Sequence, residues 1–409
     1  MQGMRLTDYI KTGAFDSGTR ADTSRWLVAL VTLALAVGSF AIGTGEFVIM
    51  GLLPDVARAF SMSTPQAGQV ITAYALGVVV GAPLIAVLSA RLSRRTLLIA
   101  LMLLFAVGNL ASAVAPSYWT LLAFRFASGL PHGAYFGVAS LVAASLVRPD
   151  KRVTAVSRVM LGLTIATLLG TPATAYLGQL ASWRVAFVFV GVVGFVTLVL
   201  ILLLLPADKV PEEASVLREL GALRKLQVWL SLAVGAVGFG GMFAIFSYVS
   251  TAVTSDAHLA PTYIPLALAA FGIGMNVGNV LGAKIGDYSV KGMVIGVMVL
   301  NVVSMTLYGL AASNPLMLFI CIFLVGSGFA AAPAIQTRLM DVAADAQTLA
   351  AASNHSAFNI ANALGAWLGG MVITAGFPAS ATGYVGAVLS FFGLCIFLWS
   401  IAIERKSGK

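Results

Sequence analysis

Apolar stretches of about 20 residues or more recur along the chain from Trp26 to Ile403, separated by short polar or charged breaks. Each is long enough to cross a bilayer as a helix. The pattern predicts spans at 26–53, 67–90, 96–115, 118–146, 154–181, 184–205, 227–253, 262–285, 292–312, 315–338, 349–375 and 380–403. Backbone amides in lipid must be satisfied internally, so helices follow. The one long polar break, 206–226, carries Asp208, Glu212, Glu213 and Glu219 among basic residues and divides the chain into near-equal halves. The expected organisation is therefore an N-terminal segment at 1–25, a six-helix half at 26–205, a solvated linker at 206–226, a second six-helix half at 227–403 and a tail at 404–409. Parallel six-span repeats with a binding site between them describe an all-α membrane transporter with a central cavity.

Composition excludes a soluble fold: of 409 residues 59% are hydrophobic and 10% charged, against about a quarter charged in soluble domains. The first 24 residues are polar, include Asp8, Asp16 and Asp22, and do not read as a removable signal peptide. The first span is expected to act as an uncleaved insertion signal. Cys321 and Cys395 both lie in apolar runs and read as packing residues, with no disulfide framework or cysteine metal site.

The net charge of +9 is not a nucleic-acid footprint, which would cluster on one soluble module. Instead Lys and Arg fall in alternate loops. One side collects Arg5, Lys11, Arg20, Arg25, Arg91, Arg94, Arg95, Arg148, Lys151, Arg152 and Arg158. It continues with Lys209, Arg218, Arg224, Lys225, Lys284, Lys291, Arg338, Arg405, Lys406 and Lys409. Only Arg58 and Arg184 mark the other side, and Arg125 lies within a span. Basic loops face the cytoplasm, so both termini are expected there.

Glu46 is the only acidic residue expected well inside a span, and an intramembrane ionisable group is a functional candidate by default. Arg125 in the fourth span falls at a matching depth, roughly 12 Å below the outer edge at 1.5 Å per residue. A contact between them is feasible, either as a structural pair or as a proton-coupling pair. His132 follows seven residues after Arg125, on the same helical face and about 10 Å deeper; it is a structural hydrogen-bond donor or a proton-exchanging group. Gly129, Gly133 and Gly137 permit close helix packing. The string Gly272-Ile273-Gly274-Met275-Asn276-Val277-Gly278 lacks the strand a dinucleotide loop needs and reads as membrane helix. Candidate cavity residues are Tyr74, Tyr248, Asn276, Asn279, His355, Asn359 and Asn362; the amides either join helices or bind solute.

Three segments resemble the twelve-span drug:proton antiporter family of the major facilitator superfamily, in particular its arabinose-efflux-like branch. They are Gly43-Thr44-Gly45-Glu46-Phe47-Val48-Ile49-Met50-Gly51-Leu52-Leu53-Pro54, Arg125 to Gly137, and Ala357 to Ala366. The resemblance covers nearly the whole chain. It implies an antiporter motif in the fifth helix at Gly162, Gly170, Pro172 and Gly178, packing and bending against the other half, although Thr171 separates Gly170 from Pro172. It also implies gating loops. In the first, Ala90 stands where the family carries an Asp ahead of its basic cluster, here Arg91, Arg94 and Arg95; the second copy keeps Asp287. An inward-side latch is then expected to rest more on the second copy. The implied location is a bacterial cytoplasmic membrane, with a monomeric protein.

The expected function is export of a small organic solute, a drug, sugar or related metabolite, in exchange for protons by alternating access. Proton-coupled uptake is the alternative. A membrane-embedded enzyme or sensor is disfavoured, because three His residues supply neither a nucleophile–base set nor a metal cluster. No phosphate-binding G-x-x-x-x-G-K-[ST] run is present, so no cofactor is expected and the proton gradient is the energy source.

Overall fold

The computed structural model describes residues 25–49, 52–62, 64–208, 216–344 and 346–406. Residues 1–24 of the expected N-terminal segment, with its three Asp residues, Met50 and Gly51 of the expected first span, linker residues Lys209, Glu212 and Glu213, and Lys409 of the tail lie outside them.

Among the described residues eleven helices are long and apolar enough to cross a membrane, and two shorter segments in succession make a twelfth. The first six are α1 (Arg25–Phe47), α2 (Gln69–Leu88), α3 (Arg94–Ala113), α4 (Tyr118–Gly129 continued by Pro131–Ser145), α5 (Arg152–Ile165 continued through 166–180) and α6 (Trp183–Leu204). The second six are α7 (Leu226–Ser247), α8 (Ile264–Tyr288), α9 (Val290–Ala311), α10 (Pro315–Ala343), α11 (Gln347–Thr374) and α12 (Thr382–Lys406). An even number of crossings returns the chain to the side where it began; that side is called the terminal face below.

Proline sets several of the irregularities. Pro131 opens the second segment of α4, where its missing N–H breaks the ladder at Leu130. In α5 a π turn over Ala166–Gly170 precedes Pro172, and Thr171 N–H reaches Ala166 O. The predicted first span, 26–53, is two elements: α1 stops at Phe47, and Pro54 sits in the first turn of a short helix, Leu53–Ala59. The apolar run conceals that boundary. Glu46 is therefore in the last turn of α1 rather than well inside a span.

The halves repeat the same packing device. Gly77 and Gly81 of α2 lie against the Phe126 and Leu130 carbonyls of α4, leaving no room for a Cβ. In the second half Gly274 and Gly278 of α8 lie in the same way against the Phe323 and Ser327 carbonyls of α10. Glycines four apart on one helix thus meet carbonyls four apart on another, the close approach that small residues allow in membranes. The discounted Gly272–Gly278 string finds its use here.

A second device also recurs. Asp208, just past α6, accepts hydrogen bonds from the Arg94 and Arg95 backbone N–H groups at 2.9 and 3.1 Å, closing the start of α3. Glu404, at the end of α12, pairs with Lys291 at the start of α9, 2.6 Å away, and with Arg338 of α10 at 3.3 Å.

Candidate functional site: a cavity between the halves

A cavity at the centre of the bundle is lined from both halves. Its walls comprise Glu46 and Phe47 from the end of α1, His132 from α4, and Leu163 and Thr167 from α5. The second half contributes Phe239, Met242, Phe243 and Phe246 of α7, Phe271 and Met275 of α8, Phe329 of α10, and His355, Phe358, Asn359 and Asn362 of α11. Seven phenylalanines and two methionines make the surface apolar; Glu46 is the one carboxylate among these lining residues. The free volume is about 50 Å³, room for water but not for an organic solute, so the walls must part to hold one.

Arg125 is wholly buried, with no hydrogen-bond partner on Nε, Nη1 or Nη2. Its guanidinium instead lies over the rings of Tyr74, 4.3 Å from the centroid, and Phe187, 5.4 Å away. No ion pair with Glu46 forms among the described residues. Tyr74 is not in the cavity wall; it stands between two sequence-predicted groups, its ring under Arg125 and its hydroxyl 3.1 Å from His132 Nδ1. On its other side His132 Nε2 meets His355 Nδ1 at 3.3 Å, a contact across the halves. Phe136 stacks on the His355 ring with centroids 4.1 Å apart.

Of the remaining expected cavity residues, Asn359 and Asn362 line the wall, with Asn359 Nδ2 donating to His355 O at 3.0 Å. Asn276 and Asn279 do not line it. Each faces α5 instead and joins the halves: Asn276 Nδ2 donates to Thr164 O at 3.1 Å, Thr164 Oγ1 donates to Asn276 Oδ1 at 2.8 Å, and Asn279 exchanges reciprocal bonds with Ser157 at 3.0 Å. Tyr248 is likewise outside the cavity, its hydroxyl donating to Ala366 O at 2.8 Å. Both departures have one cause: a polar group in an apolar bundle bonds the nearest backbone or amide, because leaving it unpaired is costly.

The α5 motif also faces another way than expected. Gly162 lies against Ala36 of α1, Gly170 against Thr44, and Gly178 against Leu52, all within the same half. Pro172 is exposed. The face of α5 that meets the other half carries Val153, Ser157, Thr164 and Leu168, against Gly286, Asn279, Asn276 and Gly272 of α8. Ser157 and Thr164, seven residues apart and so on one stripe, were the available signal.

At the terminal face Asp287, only 5% exposed, reaches from α8 to the start of α5. It accepts from Thr154 N–H at 3.0 Å and from the Thr154 hydroxyl, with Lys151 Nζ 3.8 Å away. Arg152 pairs with Asp341 of α10 at 3.2 Å, and Leu349 N–H of α11 donates to Glu219 of the linker at 2.9 Å. Gly137 of α4 touches the Ala352 backbone of α11. The halves are thus closed together on this side. Arg91 is exposed. The acid missing at Ala90 has a counterpart in Asp208, more than a hundred residues away in sequence, which holds the Arg94–Arg95 turn.

The Major Facilitator Superfamily profile matches residues 35–255 and 230–409. The chain is 40% identical to the inner membrane transport protein YdhP of Escherichia coli over 91% of this chain and 96% of that one. It is 34% identical to the putative transporter AraJ of the same species, covering 92% and 96%, and 32% identical to a chloramphenicol resistance protein of Streptomyces lividans, covering 81% and 86%. Among solved structures, the proton:xylose symporter XylE bound to 6-bromo-6-deoxy-D-glucose shares the fold with a TM-score of 0.73 at 16% identity, over 91% of this chain and 95% of that one. With two six-helix halves closed around a mid-bundle cavity and full-length relatives of this kind, the chain belongs to the major facilitator superfamily and is a membrane transporter, not an enzyme.

Proposed function

We propose that the protein exports a small, neutral or weakly polar organic solute in exchange for protons, with its terminal face towards the cytoplasm of a bacterium. One observation carries the reading: Glu46 is the one carboxylate in the wall of the cavity between the halves, where a solute and a proton would compete for the same space. Arg125, buried without a hydrogen-bonding partner behind Tyr74, is the cation that a charged Glu46 would seek. Shuttling Glu46 between a protonated state facing the cavity and a charged state drawn to Arg125 links proton binding to the direction of opening. The phenylalanine-rich wall favours an apolar body, with Asn359, Asn362 and the imidazoles orienting a few polar atoms. The proton gradient is the energy source, and no cofactor is required. The resistance protein of Streptomyces makes chloramphenicol the first solute to try.

The test is a solute panel in proteoliposomes. With an acidic lumen, antiport accumulates solute inside as protons leave; symport accumulates it only when the outside is acidic. The proton:xylose symporter's shared fold makes proton-coupled uptake the second reading, and the same experiment separates the two. Glu46→Gln is expected to insert and fold but to lose proton-driven accumulation; coupled transport at the wild-type rate removes Glu46 from the mechanism.

A further inference from the structure

Hydrogen-bond accounting fixes the direction of the Tyr74–His132–His355 chain. Tyr74 is 2% exposed and His132 1%, and among the described residues the Tyr74 hydroxyl has no partner besides His132 Nδ1. If Tyr74 donates to Nδ1, the His132 proton sits on Nε2 and is donated to His355 Nδ1. Only the His355 Nε2–H is then unpaired, as that atom is in the structure. The reverse order leaves both the Tyr74 hydroxyl hydrogen and a bare His355 Nε2 without partners. A buried orphan costs about 1–3 kcal/mol, so the first order prevails.

We propose that His132 and His355 form one proton-holding site shared across the two halves, which one added proton tightens and a second severs. This rests on the reading of the protein as a proton-linked transporter. The first proton binds His132 Nδ1, and the Tyr74 hydroxyl turns to accept. His132 becomes a cation that donates from Nε2 to the neutral His355, a charge-assisted bond stronger than the neutral one. The second proton has only His355 Nδ1 to bind. That consumes the acceptor, breaks the N–H···N bond and leaves two imidazolium rings with centroids 5.2 Å apart, one in each half. Their repulsion parts α4 from α11, where Gly133 and Gly137 already lie against Ala352.

Among the groups lining the cavity, Glu46 is the one carboxylate that competes with the pair for those protons. Tyr74 faces the pair from α2 and Glu46 lines the same cavity from α1, while Arg125 lies beyond the Tyr74 ring. Helices α5, α7, α8 and α10 present only apolar side chains and Thr167 to the cavity. Phe136 and Phe358 contact the His355 ring. Proton loading from the cavity side thus opens the terminal face, the order that exchange of outside protons for an inside solute needs.

The chain has three His residues, and the third, His258, is exposed in a loop, so ring nitrogens labelled with ¹⁵N give a spectrum that His258→Gln simplifies to the pair. The two rings are expected to titrate as a coupled unit, His355 resonances shifting when His132 is replaced by Gln; independent titrations overturn the proposal. Spin labels at Arg91→Cys and Tyr288→Cys, with Cys321 and Cys395 replaced by Ser, measure the terminal face directly. Acidifying from about pH 8 to about pH 3 is expected to lengthen their separation by about 5 Å, and His355→Gln to abolish the change. No change in the parent protein, or an equal change in His355→Gln, overturns the idea. The label experiment involves no solute. If proton-driven transport fails but the histidine-dependent opening persists, the export reading falls and the shared site stands.

Discussion

At the residue scale the unusual feature is Arg125, a buried guanidinium held by two aromatic faces and no hydrogen bond. An unpaired buried cation is a stability cost that natural selection keeps only for use. Arg125→Met therefore should not lower the melting temperature of the detergent-solubilised protein, while proton-driven transport falls by at least about tenfold, about 1.4 kcal/mol in barrier terms. A lower melting temperature with transport intact would make the residue structural. The sequence exposed Glu46, Arg125 and His132 as candidates because a charged or titratable group in an apolar run needs no alignment to be noticed. It did not show that Tyr74 stands between two of them, or that His132 meets His355. When every face of a helix is apolar, periodicity carries no facing direction.

Among the elements, the paired glycines of α2 and α8 set how closely each half packs. Gly274→Ala drives a methyl into the Phe323 carbonyl, and the expected loss is about 1–3 kcal/mol of stability, typical of overpacking. Gly296 in α9 has nothing near its missing Cβ, so Gly296→Ala is expected to gain up to about 1 kcal/mol from helix propensity. Thermal unfolding of the two variants side by side reads both. The twelve elements were legible because hydrophobic length alone marks them. Boundaries were legible only where charge intervened: the end of α1 at Phe47 lies in an apolar run, and its sole local sign is Pro54. The α5 glycines were assigned to the wrong neighbour because a glycine announces close approach without naming what approaches.

For the whole molecule, the repeated ties of Asp208 to α3 and Glu404 to α9 brace each half internally, while separate bonds join the halves. Asp287 is chief among the latter at the terminal face. Asp287→Ala removes the acceptor for Thr154 and is expected to lengthen the Arg91→Cys to Tyr288→Cys label distance at neutral pH. An unchanged distance would show that Arg152–Asp341 and the α4–α11 contact suffice to keep the face shut. Of these latches only Asp287 stood out beforehand, since Asp208 and Thr154 are far in sequence from what they bind.

The seam between α5 and α8 has a further consequence in the order of its bonds. Going inward from the terminal face it runs Thr154 with Asp287, then Ser157 with Asn279, then Thr164 with Asn276. The outermost pair lies nearest the solvent at the terminal face, while the innermost pair can be hydrated only after the outer ones have parted. If the halves part on this side, the seam is expected to open from its terminal end inward, one hydrogen-bonded pair at a time.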